Sequence, residues 1–246
     1  MRFVVFAVLL VAIGCGGGGD GRCATPRTAT PIDPATTGAI TGTVTFEGTP
    51  PAMGELRLTG ECASRHSGPV PTGDLIVHDG HVANVFVYVS DGLGDRTFAV
   101  PSTPVTIDQN GCLYEPHVVA AETCQPIRFV NSDAFLHNVH GTPTQSPAWN
   151  FGMSVRGSER TVKIDHPEVM VEVRCDVHPW MRAYIGVLDH PYSAVTGMDG
   201  RFALNGLPPG DHVVRAWHER LGTRESRVSI AAKETKDVAF AYGAGR

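Results

Sequence analysis

Apolar and polar residues alternate with a period of two along most of this chain, in short runs broken by glycine and proline. Gly38–Pro51 alternates and ends in a Gly/Pro turn, which predicts an opening strand. Glu55–Thr59 predicts a second short strand. Asp74–His78 and His81–Val89 flank Asp79-Gly80, a hairpin signature. Thr161–Asp165 and Val169–Val173 form a valine-rich run that reads as strand. Towards the end, Thr196–Leu204 and Leu207–Trp217 each read as a turn with a strand, and Arg227–Ile230 and Asp237–Tyr242 close the chain. Long amphipathic stretches are few. The 28 glycines and 18 prolines fit many turns, so the expected class is all-β.

With 246 residues, 42% of them hydrophobic, the chain suffices for one large or two modest domains with a real core. Its net charge of -5 argues against nucleic acid as a partner. The first residues read as a leader: Met1-Arg2, then an apolar run from Phe3 to Ile13, then Gly14-Cys15. That run is too short to span a bilayer as a helix. Cys15 after Ala12-Ile13-Gly14 resembles a bacterial lipobox, with Ala12 where the pattern prefers leucine. The resemblance implies a signal over 1–15, lipidation at Cys15, a flexible linker over 16–37, and a cell-envelope protein facing the periplasm or cell surface.

Six cysteines suit an exported chain, in which disulfides form. With Cys15 assigned to lipid and Cys175 to a metal, four remain: Cys23, Cys62, Cys112 and Cys124. Four permit three pairings. Cys62 with Cys112 is the preferred pair, since each lies in a turn-like segment outside the strands. Cys23 and Cys124 are then either paired or free.

The chemistry concentrates in Cys175-Asp-Val-His178-Pro-Trp-Met181, which holds a thiol, an imidazole and a thioether within seven residues. Soft and borderline transition metals, copper foremost, prefer these donors. Two residues between Cys175 and His178 let a tight turn aim both at one ion, and Pro179 stiffens that turn. Phe135-Leu-His137-Asn-Val-His140 offers the fourth donor. His137 and His140 are three apart and face opposite sides of an extended strand, so one metal takes one of them. His137 is the expected ligand. His140 is then a solvent-side or partner-facing residue, and His117 a loop histidine or part of another copper site with His140. A trigonal His2Cys set with a weak axial methionine is the blue, type 1 copper electron-transfer site. Asn138 is expected to lock the two ligand loops together, and Trp180 to shield the metal or pack as a loop aromatic.

Two resemblances follow from these residues. Gly42-Thr-Val-Thr-Phe-Glu-Gly48 and Thr196-Gly-Met-Asp-Gly-Arg-Phe202, with Leu207-Pro-Pro-Gly210, look like the carboxypeptidase regulatory-like module, a prealbumin-like β-sandwich. Gly197 and His212 depart from its common Asp and Tyr. Pro126–Val139 with Cys175-x-x-His178-x-x-Met181 resembles the cupredoxin family, plastocyanin and its relatives. The loop is shorter between His178 and Met181 than in plastocyanin. Its spacing looks like the binuclear copper domain of cytochrome oxidase, but Val171 and Pro179 leave a single thiolate, which favours one copper.

The resemblances imply a Greek-key cupredoxin sandwich over 105–189, inserted into or following a prealbumin-like sandwich made of 38–104 plus 190–243. They imply one copper held by His137, Cys175, His178 and Met181. Single electrons would pass between periplasmic or membrane redox partners, such as a cytochrome or a membrane oxidoreductase. The chain lacks G-x-S-x-G, H-E-x-x-H, a phosphate loop and His-x-His pairs, so a non-enzymatic role is expected. Copper delivery, or a structural surface module without redox activity, are the alternatives.

Overall fold

Every second residue of Gly38–Glu47 is buried, as a period-two run on a half-covered sheet requires. This is β1 of a computed structural model that describes residues 23–24 and 27–243. The fold is all-β, as the alternation predicted. β2 (Val77–His78), β3 (His81–Val82) and β4 (Phe86–Asp91) follow, with one short helix, α1 (Gly60–Ser64), between β1 and β2. The middle of the chain forms β5 (Val105–Asn110), β6 (Leu113–Glu115), β7 (Val118–Glu122), β8 (Ile127–Asn131), β9 (His137–Gly141), β10 (Trp149–Met153), β11 (Glu159–Val162), β12 (Glu168–Arg174) and β13 (Arg182–Leu188). The end forms β14 (Ser193–Val195), β15 (Arg201–Leu207), β16 (Gly210–His218), β17 (Gly222–Ile230), β18 (Thr235–Asp237) and β19 (Phe240–Gly243).

Strands from the two ends of the chain pair with one another. β1 lies antiparallel to β15 and parallel to β18 and β19, while β4 lies between β14 and β16. The two resulting sheets enclose one core, which includes Ile40, Val44, Val87, Leu204, Val214 and Phe240. The middle strands form two further sheets, ordered β10-β9-β12-β13-β7 and β11-β8-β5-β6, around Ile107, Phe129, Val139, Val171, Val173 and Ile185.

Val85–Val89 is buried throughout rather than alternately, because β4 is covered on both sides. Val87 and Val89 face the core of the terminal strands. Phe86 and Tyr88 face a smaller cluster with Val118 and Leu188, which joins β4 to the middle strands. Gly42 shows why the opening strand needs a glycine: a Cβ there would sit 1.8 Å from the Val238 carbonyl oxygen and 2.7 Å from the Phe202 ring.

Four expectations need correction. Glu55–Thr59 makes only an isolated bridge, Glu55 to Pro71, and Leu58 packs instead onto the core of the middle strands. The hairpin is short: the chain leaves β3 at Val82, bends at Asn84 (φ 59°) and enters another sheet as β4. Thr196 fixes that crossover, its hydroxyl donating to the Val82 carbonyl (2.8 Å) and accepting from the Val85 amide (3.0 Å). The valine-rich run is two strands in different sheets, β11 beside β8 and β12 between β9 and β13. The linker expected over 16–37 is, among its described residues, mostly exposed but is tied to the fold at Cys23, Arg27, Thr30 and Ile32. Arg27 pairs with Asp189 at 2.9 Å and donates to the Thr123 carbonyl, Thr30 bonds Thr97, and Ile32 packs on the core.

Residues 1–22, with the expected signal and Cys15, lie outside the described residues. Among the described residues no helix is long and apolar enough to cross a membrane. Both disulfides are defined: Cys62–Cys112 and Cys23–Cys124, so Cys23 and Cys124 are not free.

Candidate metal centre

β12 and β13 run antiparallel, and their last pair, Arg174 with Arg182, leaves a tight loop from Cys175 to Met181. The loop closes on itself: the Cys175 amide donates to the Met181 carbonyl (3.2 Å) and the Met181 amide to the His178 carbonyl (2.9 Å). Cys175 and Met181 are thereby buried at the loop's feet, and His178 stands half-buried at its crest beside exposed Val177 and Pro179.

His137 arrives from elsewhere in the sequence, as the first residue of β9, and is completely buried. Asn131, at the end of β8, shapes the approach. Its side-chain amide donates to the Phe135 and Met153 carbonyls, and its oxygen accepts from the Asp133 amide. β9 pairs with β12 through Gly141–Val173 and His140–Arg174, which brings the two segments that carry the expected ligands together.

His137 Nδ1 lies 3.0 Å from His178 Nδ1, and Cys175 Sγ lies 3.8 Å from the same atom. A first-row ion bonds nitrogen at about 2.0 Å and thiolate at about 2.3 Å, so donors to one ion lie within about 4 Å of each other. Both separations fit. Cys175 is the one free cysteine among the described residues. The amides of Asn138 (3.5 Å) and His178 (3.4 Å) point at its sulfur and place partial positive charge against it. Burial, followed by the proximity of His137, holds His178 below the usual histidine range, which favours the neutral imidazole that a metal takes. Met181 shares the buried cluster with Cys175 and joins it through the backbone.

Asn138 stitches the loops. Its Oδ1 accepts from the amides of Asp176 (2.6 Å) and Val177 (3.4 Å), and its Nδ2 donates to Asn150 (2.8 Å) and Asp176 (3.1 Å). His140 faces away from His137 and pairs with Asp176 at 3.0 Å. That hydrogen bond, with those from Asn150 and Asn138, pulls the exposed Asp176 carboxyl down to about 2. Trp180 is half-buried, donates from Nε1 to the Cys112 carbonyl (3.1 Å), and has its ring 5.3 Å from that of His178. His117 hydrogen-bonds Glu219 and packs on Tyr184, so it joins the middle strands to the terminal ones. Among the described residues neither His117 nor His140 falls in a group of three ligand-type side chains.

The sequence reading passed over three residues of the site: Asn131, Tyr114 and Asp133. Tyr114 is buried and donates to the Asn138 carbonyl at 2.5 Å; burial, with the Cys175 and Asp176 charges, raises its hydroxyl well above the ordinary range. Asp133 is fully buried against His137. The only sequence signal was Asn131-Ser-Asp133, whose side chains favour turn bonds to nearby amides.

No protein-family model matches the chain, and no curated protein does. Among solved structures, a copper-containing nitrite reductase from Thermus scotoductus SA-01 is 22% identical with a TM-score of 0.32, over 41% of this chain and 25% of that one. A mutant of amicyanin in its Cu(I) form is 17% identical with a TM-score of 0.31, over 41% of this chain and 97% of that one. A purple cupredoxin from Nitrosopumilus maritimus is 15% identical with a TM-score of 0.30, over 34% of this chain and 98% of that one.

Proposed function

We propose that this protein binds one copper ion through His137, Cys175, His178 and Met181 as a type 1 centre. It transfers single electrons between redox partners at the cell envelope, where lipid on Cys15 holds it. The observation that carries this reading is the convergence of His137 Nδ1, His178 Nδ1 and Cys175 Sγ from two strand ends. Bound copper would supply the one-electron couple. The chain's residues do the rest. Asn138, Asn131 and the strand pairing hold the donors in place with or without metal, which keeps reorganisation small on transfer. Leu136, beside His137 in the chain, and Val177, beside His178, are each 47% exposed and give a partner an apolar surface to desolvate.

Cu(II) added to the protein from residue 23 onward, which keeps the Cys23–Cys124 bond, should raise an intense visible thiolate-to-copper band that bleaches on reduction. Cys175→Ser should abolish the band, and Met181→Leu should shift it without loss. A colourless protein that binds zinc, or nothing, refutes the type 1 reading and leaves a delivery or structural role.

A further inference from the structure

The excursion between β1 and β2, residues 48–76, belongs by sequence to the terminal strands, yet its middle lies against the metal centre. Cys62 bonds Cys112, and both are buried. His66 Nε2 lies 2.7 Å from the Gly111 carbonyl oxygen, and Leu58 packs on the core of the middle strands. The ligand-type atoms of Cys62, Cys112 and His178 lie within 4.8 Å of one another, as do those of Cys112, Asp133 and His137. The disulfide already occupies both sulfurs, so its place beside both histidines is architectural.

At the centre of these contacts stands Asp133, with no exposed side-chain surface. Its Oδ1 accepts from the Gly111 amide (3.1 Å), and its Oδ2 from the Cys112 amide (2.9 Å) and His137 Nε2 (3.0 Å). Arg65, the residue that caps the C-terminus of α1, reaches Oδ1 at 3.5 Å and is the cation paired to this carboxylate. A buried carboxylate that accepts from one imidazole nitrogen places the proton there and leaves the lone pair on the other. That other nitrogen, Nδ1, is the one that faces His178.

We propose that Asp133 is a positioning residue of the copper centre and that the 48–76 strap sets its electrostatics through Arg65 and the Cys62–Cys112 bond. The inference rests on the type 1 reading. Asp133 fixes the His137 tautomer and turns Nδ1 to the metal. Its negative charge favours the higher-charged oxidation state, and Arg65 offsets part of that charge. The terminal strands are therefore part of the electron-transfer unit through the strap they send across.

Opposite charge removals should move the reduction potential in opposite directions. In the copper-loaded protein, Asp133→Asn should favour Cu(I) over Cu(II) by at least tenfold, a rise of about 59 mV for a one-electron couple. Arg65→Met, on a side chain 40% exposed, should lower the potential by a smaller amount, a fewfold change in the same ratio. Nitrogen-15 NMR of the metal-free wild type should show His137 protonated at Nε2. Potentials within twofold of wild type in both variants, shifts of the same sign, or an Nδ1-protonated His137 would each overturn the proposal. If Asp133→Asn fails to fold, the Arg65→Met shift and the tautomer decide. If wild type shows no blue band, the copper reading fails on its own, and the metal-free tautomer still decides the Asp133–His137 pairing.

Discussion

Asn138→Ala would unstitch the two loops of the candidate metal centre without touching a proposed ligand atom. The side chain is 8% exposed. Its removal strips the Asp176 amide of a 2.6 Å acceptor in a partly buried setting and the Asn150 oxygen of a 2.8 Å donor. A buried donor left unpaired costs about 1–3 kcal/mol, and an ordinary hydrogen bond contributes about 0.5–1.5 kcal/mol. Asn150 is exposed, so water replaces most of its share. The Asp176 carboxylate is 44% exposed, so water replaces its bond to Nδ2. The expected loss is therefore about 2 kcal/mol, roughly thirtyfold in the folding equilibrium.

Urea unfolding of the metal-free protein, followed by tryptophan fluorescence, should show a lower midpoint with an unchanged slope. Exchange of the Asp176 amide hydrogen should accelerate, and Asn150→Ala should lose only the minor share. A loss below about 0.5 kcal/mol for Asn138→Ala, with Asp176 exchange unchanged, would refute the view that this side chain holds the loop.

The disulfide at the strap closes 50 residues, so replacing Cys62 and Cys112 together by serine should cost about 4 kcal/mol by chain entropy. A melting temperature unmoved by the replacement would contradict this. His218 is 2% exposed, and burial pushes its pKa down to about 4. The unfolded chain therefore takes up that proton first. The His218 contribution to stability is complete above about pH 6.5 and is lost towards pH 4, on the order of 3 kcal/mol. His218→Asn should flatten the dependence of the urea midpoint on pH in that window, and an identical slope would refute the assignment. Gly186→Ala should destabilise by about 1–3 kcal/mol through overpacking, since the added Cβ would lie 2.4 Å from the Phe86 ring. Phe86→Leu in the same protein should recover part of the loss, and simple additivity of the two would count against the clash.

Period-two alternation carried the all-β class, because a strand with one covered face writes its burial directly into the sequence. It failed where that condition failed. β4 is covered on both faces, so Val85–Val89 carries no alternation to show that the hairpin reading ends at Val82. Glu55–Thr59 alternates but finds no strand partner, because Leu58 and Cys62 are drawn to another core. Cys175, His178 and Met181 were legible together because one short loop carries all three, and its spacing is local chemistry. That His137 and His140 face opposite sides of a strand was legible too; which of them turns towards Cys175 and His178 was decided by the fold. Asp133 lies four residues before His137, but its burial and its cation Arg65, 68 residues away, are contacts that no spacing reveals. What the sequence by itself determined is what lies within a few residues, namely strand period, turn chemistry and the donors of one loop. Tertiary structure alone decided which distant segments share a core and which charges stand beside the donors. Burial and hydrogen bonding act on neighbours in space, and the folded chain chooses those neighbours.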